Sequence, residues 1–473
     1  LAPQHFGRPC GRTGAACAVT KSKEIQMNRR QGRSAASWAR ASLVAMTLAG
    51  GALAWTPAGA VTEIQWWHSM TGANNDRINS LAERFSKSQP DYKVTAVYKG
   101  SYPESMTQAI AAYRAGNAPH IVQVFEVGTA TMMAAKGAIV PVEKLMKDAG
   151  EKFDRSAYVP AVAGYYTTRK GEMLSFPFNS STTVFYYNRD AFKKAGIDKA
   201  PETWSEFAAA AAKIKASGAS SCPYTTSWPS WVHLESFSAW HNTLFATENN
   251  GFASLKARLA VDKPLFERHM KNLLEWSKNG LFTYAGRTTE GDSKFYSGEC
   301  AMFTGSSATY GNIKRNAKFD FGITKLPYYS DVDGAPQNTV IGGASLWVMS
   351  GKSKDEYKGI AKFFTFLSSP EIQAEWHQAT GYLPLTIAAY ELTKKSGFYE
   401  KNPGTDVAVQ QMIVKTTDKS RGVRLGNMVQ IRDIVHEEME AMLAGRQDPK
   451  TALKNMKRRG DEQLVRFERT ARE

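Results

Sequence analysis

The chain has 473 residues, of which 42% are hydrophobic and 22% charged, and a formal net charge of +16. This length accommodates two or three domains with ample core, and the ordinary composition excludes a low-complexity chain. The basic balance favours anionic ligands or a membrane surface but does not by itself indicate nucleic acid.

The first sixty residues differ from the rest. From Met27, "MNRRQGRSAASWARASLVAMTLAGGALAWTPAGA" carries Arg29, Arg30, Arg33 and Arg40, then an apolar run from Leu43 to Trp55, then Ala58-Gly59-Ala60. A basic start, a short apolar middle and an A-x-A end describe a secretory signal peptide over 27–60. The apolar run is too short to span a bilayer, which takes about 20 residues. Residues 1–26 are expected to be upstream sequence read in error, with the mature protein starting near Val61. Val61 is not Cys, so no lipid anchor is signalled, and a free soluble protein in the periplasm is expected. Residues 1–60 hold eight Lys or Arg and one acid, so their removal lowers the charge from +16 to +9. Cys222 and Cys300 then remain, either as a disulfide or as buried free thiols.

From Val61 the pattern alternates. "TEIQWWHS" reads as a strand, and Ile78, Leu81, Ala82 and Phe85 mark one face of the helix that follows. "KVTAVYKG" is a second strand, "ESMTQAIAAYRAG" a second helix and "HIVQVFEV" a third strand. Such alternation predicts βαβ units and a mostly parallel sheet. "PFNSSTTVFYYNRDAF" reads as one strand and a helix. "PETWSEFAAAAAKIKASG" is a helix with its cap at Thr203 or Glu202 and its stop at Gly218. "GECAMFTGSSATYGNIKRNA" is a strand, a small-residue turn and a helix. "NTVIGGASLWVMSG" is an apolar strand interrupted by Gly342-Gly343, leading to a helix with Tyr357, Ile360, Phe364 and Leu367 on one face. The chain closes in two helices, the last with charges of alternating sign that read as a solvated face rather than a nucleic-acid arm.

Motifs for catalysis are lacking. None of His68, His120, His233, His241, His269, His377 and His436 forms an HExxH pair. His233, Glu235 and His241 have no recognised zinc spacing. There is no G-x-S-x-G, no Walker A motif and no G-x-G-x-x-G after a strand. Anion binding fares better. "NSST" at 179–182 and "TGSS" at 304–307 place small hydroxylated residues at strand ends, where backbone N–H groups suit a phosphate, although ordinary capping uses the same residues. Gly343 offers an N–H that no side chain shields. Arg424 and Arg432 in "RLGNMVQIRDIVHEE" present guanidinium forks matched to phosphate, or to a neighbouring acid as an ion pair. "SWPSWVHLESFSAWHN" gathers Trp228, Trp231 and Trp240, either as core or as the wall of a pocket.

Taken together, "WWHSM", "GNAPHIVQVFEVGTATMMA", "PFNSST", "LESFSAWH", "GGASLWVM", "EWHQATGYLP" and "RLGNMVQIR" resemble the periplasmic glycerol-3-phosphate-binding branch of the extracellular solute-binding proteins, the family that includes the maltose-binding protein. The resemblance implies an α/β, type II periplasmic binding protein fold, with two lobes joined by a three-crossover hinge and the ligand cleft between them. It implies an N-terminal lobe of 61–178 plus 345–400 and a C-terminal lobe of 179–344 plus 401–473. It implies capture of sn-glycerol 3-phosphate, and of glycerophosphodiesters such as glycerophosphocholine, for a membrane permease driven by a cytoplasmic ATPase. Residue by residue, it assigns Tyr102 and Glu126 to the glycerol hydroxyls. It assigns Ser181, Ser306, Gly343, Tyr382 and Arg432 to the phosphate and its linkage, and Trp228 and Trp231 to the walls of the cleft. Trp240 and His241 fall to the core and rim of a lobe. No cofactor, no metal and no catalytic residue is implied, and a monomer is expected. An exported phosphodiesterase is the rival reading, and it would need a metal or a nucleophile–base pair.

Overall fold

The computed structural model describes residues 60–414 and 416–471. The expected upstream segment 1–26 and the signal peptide 27–60, apart from its final Ala60, lie outside the described residues. Among the described residues, no helix is long and apolar enough to cross a membrane.

Among the described residues, eleven strands form two sheets. In chain order they are β1 (Thr62–His68), β2 (Tyr92–Tyr98), β3 (Ile121–Phe125), β4 (Ile139–Val140), β5 (Phe176–Ser181), β6 (Thr183–Asn188), β7 (Cys222–Thr226), β8 (Phe282–Tyr284), β9 (Cys300–Ser306), β10 (Phe321–Thr324) and β11 (Gly342–Met349). The first sheet runs β2-β1-β3-β11-β4, with β5 also paired to β11, and the second runs β10-β6-β9-β7-β8. The strands β1, β2 and β3 pair in parallel as their alternation with helices predicts. The expected mostly parallel arrangement is corrected to a mixed one. β11 lies antiparallel to β3, β4 and β5, and β6 lies antiparallel to β9 and β10. β11 returns to the first sheet after a long excursion, and β6 passes straight from β5 into the second sheet, so neither arrives by a local βαβ crossover and the rule that governs such crossovers does not act on them.

The single strand expected in "PFNSSTTVFYYN" is two. The chain leaves the first sheet after Ser181 and enters the second at Thr183, so the break falls at the buried Thr182. Alternation cannot reveal such a break, because both halves are buried over nearly their whole length and so show no in–out pattern on either side of it. Strand β11 begins at Gly342 rather than spanning the glycine pair, and its register against β5 shifts between Ala344 and Ser345. The expected lobe boundaries at 178/179 and 344/345 therefore fall inside β5 and β11.

Thr203 is the cap of the helix Trp204–Ala216. Its Oγ1 accepts from Glu206 N at 3.2 Å, while its own N–H donates to the Glu206 carboxylate at 3.0 Å. Side chains on the inner faces of the sheets build the core, with Trp66 and Trp347 fully buried in the first sheet and Tyr186 and Phe303 in the second. Cys222 and Cys300 stand in register on the adjacent parallel strands β7 and β9, with Cα atoms 4.4 Å apart, and form a disulfide.

Candidate functional site

A cavity of about 240 Å³ opens where the edges of both sheets meet, and all nine residues expected to bind ligand line it: Tyr102, Glu126, Ser181, Trp228, Trp231, Ser306, Gly343, Tyr382 and Arg432. They come from widely separated parts of the chain. Glu126 follows the end of β3, and Ser181 and Gly343 lie on the paired strands β5 and β11. Ser306 ends β9, where its Oγ accepts from Ala308 N at 3.1 Å and so caps the turn that follows. Capping and lining are thus done by the same residue, and its hydroxyl proton stays available for a ligand.

Aromatic rings build one side. Tyr102 stacks on Phe125 with centroids 5.3 Å apart, and its hydroxyl oxygen accepts from Asn179 Nδ2 at 3.0 Å. Tyr382 stacks on Trp376 at 5.7 Å. Trp228 and Trp231 both line the cavity. The backbone of Trp228 is left-handed, with φ of 53°, an outlier for a bulky side chain that is held by its N–H donating to Thr288 O at 2.9 Å. Such strain is characteristic of functional sites. The chain then enters a π-helical turn, Trp231–Ser236, which carries Trp231 toward β11. A Cβ on Gly342 would stand 2.3 Å from the Trp231 ring, so glycine is required for this close approach.

The charged centre departs from expectation. The resemblance assigns Arg432 to a phosphate and Glu126 to hydroxyls, and the two are joined: Arg432 Nη2 donates to Glu126 Oε1 at 2.5 Å. The same guanidinium forks onto Glu235, with Nε to Oε1 and Nη2 to Oε2, both at 2.8 Å. Ser230 Oγ donates to Glu235 Oε1 at 2.9 Å. Arg432 thus meets acids remote in sequence, not its own helical neighbours such as Glu437. Its Nη1 has no partner among the described residues. Burial and the negative Glu235 beside it push the Glu126 carboxyl above the usual carboxylate range despite Arg432. The two carboxylates, against the cost of burial, hold Arg432 firmly protonated. The second candidate fork, Arg424, serves elsewhere. Its Nη1 donates to the carbonyls of Tyr165 and Thr167 at 3.1 and 2.7 Å.

Two cavity or near-cavity acids were missed by sequence reasoning. Glu235 was weighed only as a metal ligand, although its spacing of four from Trp231 was a signal that the two share a helical face. Asp292 lines the cavity, with Oδ1 accepting from Ser227 Oγ at 2.6 Å and Oδ2 from Thr309 Oγ1 at 3.2 Å. Nothing in "TTEGDSKF" distinguishes it from a surface acid.

The histidines form a separate network. His233 Nδ1 meets His269 Nε2 at 3.0 Å, and His233 Nε2 meets the Tyr224 hydroxyl at 2.9 Å. Burial pushes His233 down to about 3 and His241 to about 4, so both are neutral. His241 and Trp240 are both buried, so neither lies on a rim. Among the described residues, no group of three or more His, Cys, Asp or Glu could hold a metal ion.

A sequence profile of the bacterial extracellular solute-binding proteins matches residues 80–406. The chain belongs to this family. It is 55% identical over 413 residues to the sn-glycerol-3-phosphate-binding periplasmic protein UgpB of Yersinia pseudotuberculosis, covering 86% of this chain and 94% of that protein. It is 53% identical over 417 residues to the UgpB of Salmonella paratyphi A, covering 87% and 95%. Among solved structures it is similar to Mycobacterium tuberculosis UgpB in complex with glycerophosphocholine, with a TM-score of 0.73 and 22% identity over 85% of this chain and 98% of that one. It is similar also to maltose-bound T. maritima MalE3, with a TM-score of 0.69 and 18% identity over 86% and 100%. These structural likenesses establish the type II periplasmic binding fold for this solute-binding protein. Binding, not catalysis, is the task of the family.

Proposed function

We propose that this protein captures sn-glycerol 3-phosphate and glycerophosphodiesters in the cavity between the two sheets and hands them to the membrane permease of an ABC importer. The observation that carries this reading is the 55% identity across nearly the whole of a glycerol-3-phosphate-binding relative. The gathering of nine separately expected residues around one cavity supports it. The protein works as a monomer in the periplasm, reached through a leader cut after Ala60. The two sheets are the cores of two lobes, and the switch of sheet at Thr182 is one of the crossovers between them.

In this reading Glu126 accepts from the glycerol hydroxyls while its bond to Arg432 keeps it aimed. Ser181, Ser306, the Tyr382 hydroxyl and the Gly343 N–H surround the phosphate, and the free Nη1 of Arg432 adds a charged donor. Trp228 and Trp231 pack on the carbon chain and, in a choline ester, on the quaternary ammonium. Closure of the lobes excludes water, which strengthens each of these bonds, and the closed form is the one the permease accepts. Titration calorimetry with sn-glycerol 3-phosphate, glycerophosphocholine and maltose tests the proposal. Binding of maltose with no heat from either ester would overturn it, and release of choline during overnight incubation would favour a phosphodiesterase.

A further inference from the structure

The charges on the cavity wall do not suit a dianion. Among the described residues that line it, Arg432 is the one basic side chain, and Glu126 and Asp292 are both acids. Glu235 stands directly behind Arg432 and is joined to it by two hydrogen bonds. One guanidinium therefore faces three carboxyls. With all of them ionised the site would carry net negative charge and repel the anion it is built to hold. Glu126 and Glu235 share the guanidinium. Among the described residues Asp292 has no cation partner, and its oxygens accept from the hydroxyls of Ser227 and Thr309.

We infer that Asp292 enters the ligand complex as a neutral acid and donates a hydrogen bond to a non-bridging oxygen of the ester phosphate, so that binding is coupled to proton uptake. This rests on the phosphate-ester reading above and deepens it. Oδ2, whose contact to Thr309 is the longer at 3.2 Å, is the oxygen placed to carry the proton. Thr309 follows Ser306 by one turn, so the acid lies beside the hydroxyls assigned to the phosphate. Burial pushes the Asp292 carboxyl up to about 7, with Glu290 on the same helix acting in the same direction and the two hydroxyls opposing.

The groups around Asp292 do not supply a counter-charge. Its own helix, Glu290–Tyr296, contributes Glu290, Tyr296 and Lys294, and Lys294 is paired with Glu299. Strands β7 and β9 carry no basic side chain. The helix Tyr310–Asn316 carries Lys314 and Arg315, which are bound to Asn402 and Asp76. Tyr186 of β6 and Tyr382 face it as neutral phenols, raised by burial. A phosphodiester, with one negative charge at every pH of interest, then suits the site better than a phosphate monoester in its dianionic form.

The diester is also the better probe, because a monoester titrates near pH 6 on its own account. Calorimetry of glycerophosphocholine binding from about pH 5.5 to about pH 8.5 should give a dissociation constant that is flat below 7 and rises toward tenfold per pH unit above it. At the upper end, titrations in two buffers of different ionisation heat should count close to one proton taken up. In Asp292→Asn, which keeps a neutral donor, both effects should vanish. A flat profile without proton uptake in the unsubstituted protein, or an unchanged slope in D292N, overturns the inference. The two-buffer measurement decides it even if the variant does not fold. Absence of binding by both esters at every pH would instead overturn the phosphate-ester reading, and this inference with it.

Discussion

Arg432 and Glu235, 197 positions apart in the chain, form a two-point fork with both bonds at 2.8 Å, and each side chain is at most 7% exposed. The fork fixes the plane of the guanidinium, from which Nη2 also reaches Glu126. Glu235 therefore positions the arginine proposed to touch the ligand, without itself being one of the residues that line the cavity.

Removing one partner leaves a buried charge without compensation, which typically costs about 3–5 kcal/mol. Arg432→Ala should lose at least ~1.5–3 kcal/mol of ligand affinity from the missing charge-assisted bond, together with folding stability. Glu235→Gln should lower the melting temperature and weaken ester binding together. Calorimetry and thermal melts on both variants check this, and undiminished affinity in Arg432→Ala would remove Arg432 from the binding site.

Trp228 faces the cavity across from Tyr102, with ring centroids 6.5 Å apart. A quaternary ammonium between such rings gains about 0.5–2 kcal/mol. Trp228→Ala should therefore weaken glycerophosphocholine by roughly that amount and sn-glycerol 3-phosphate by less. Equal losses for the two ligands would mean that the ring packs only on the shared glycerol.

Gly343 has φ of 82°, and a Cβ there would lie 1.8 Å from the Asn179 carbonyl oxygen. Gly343→Ala should force β5 and β11 apart, since both the left-handed backbone and the strand contact are violated. Loss of ester binding with a lowered melting temperature is expected. A crystal structure of the variant would reveal whether the β5–β11 pairing survives.

The Cys222–Cys300 disulfide closes a loop of sequence separation 78 and joins neighbouring strands of the second sheet. Double replacement by Ser should cost roughly 2–4 kcal/mol by releasing that loop in the unfolded chain. Denaturant titration of the oxidised, reduced and substituted proteins tests this, and coincident midpoints would contradict it.

Buried histidines set the acid limit. Burial holds His233 and His436 down to about 3, and His68, His241 and His377 down to about 4. The unfolded chain takes up these protons from about pH 6.5 downward while the folded protein does not. Stability must then fall as the pH drops below 6.5, by about 1.4 kcal/mol per unit for each fully responding group. Asp292 acts oppositely: its raised value stabilises the fold below the unfolded value of 3.8 and this is lost as pH rises to about 7. It offsets one histidine of the five. Melting temperatures should decline from pH 7 to pH 5, and a level profile would refute the neutral histidine core.

Much of this architecture was legible in local pattern. The strand–helix alternation from Thr62, the cap at Thr203 and the apolar face ending at Leu367 each follow from neighbours within a few residues, where periodicity and capping chemistry act. The switch of sheet at Thr182 was not legible, because both flanking strands are almost wholly buried and aromatic, with no polar turn between them. Nor was the direction of β11, which depends on where the long excursion from Ser181 to Gly342 returns the chain.

The sequence by itself determined which residue types were available for a phosphate ester: paired tryptophans, strand-end serines, a glycine with an open N–H and an arginine on an apolar helix. Only the tertiary structure decided how their charges combine. Arg432, Glu126 and Glu235 come from three distant segments, and Asp292 meets Ser227 and Thr309 only through packing of the second sheet. Electrostatic pairing depends on distance in space and on exclusion of water, and neither is encoded in the spacing along the chain.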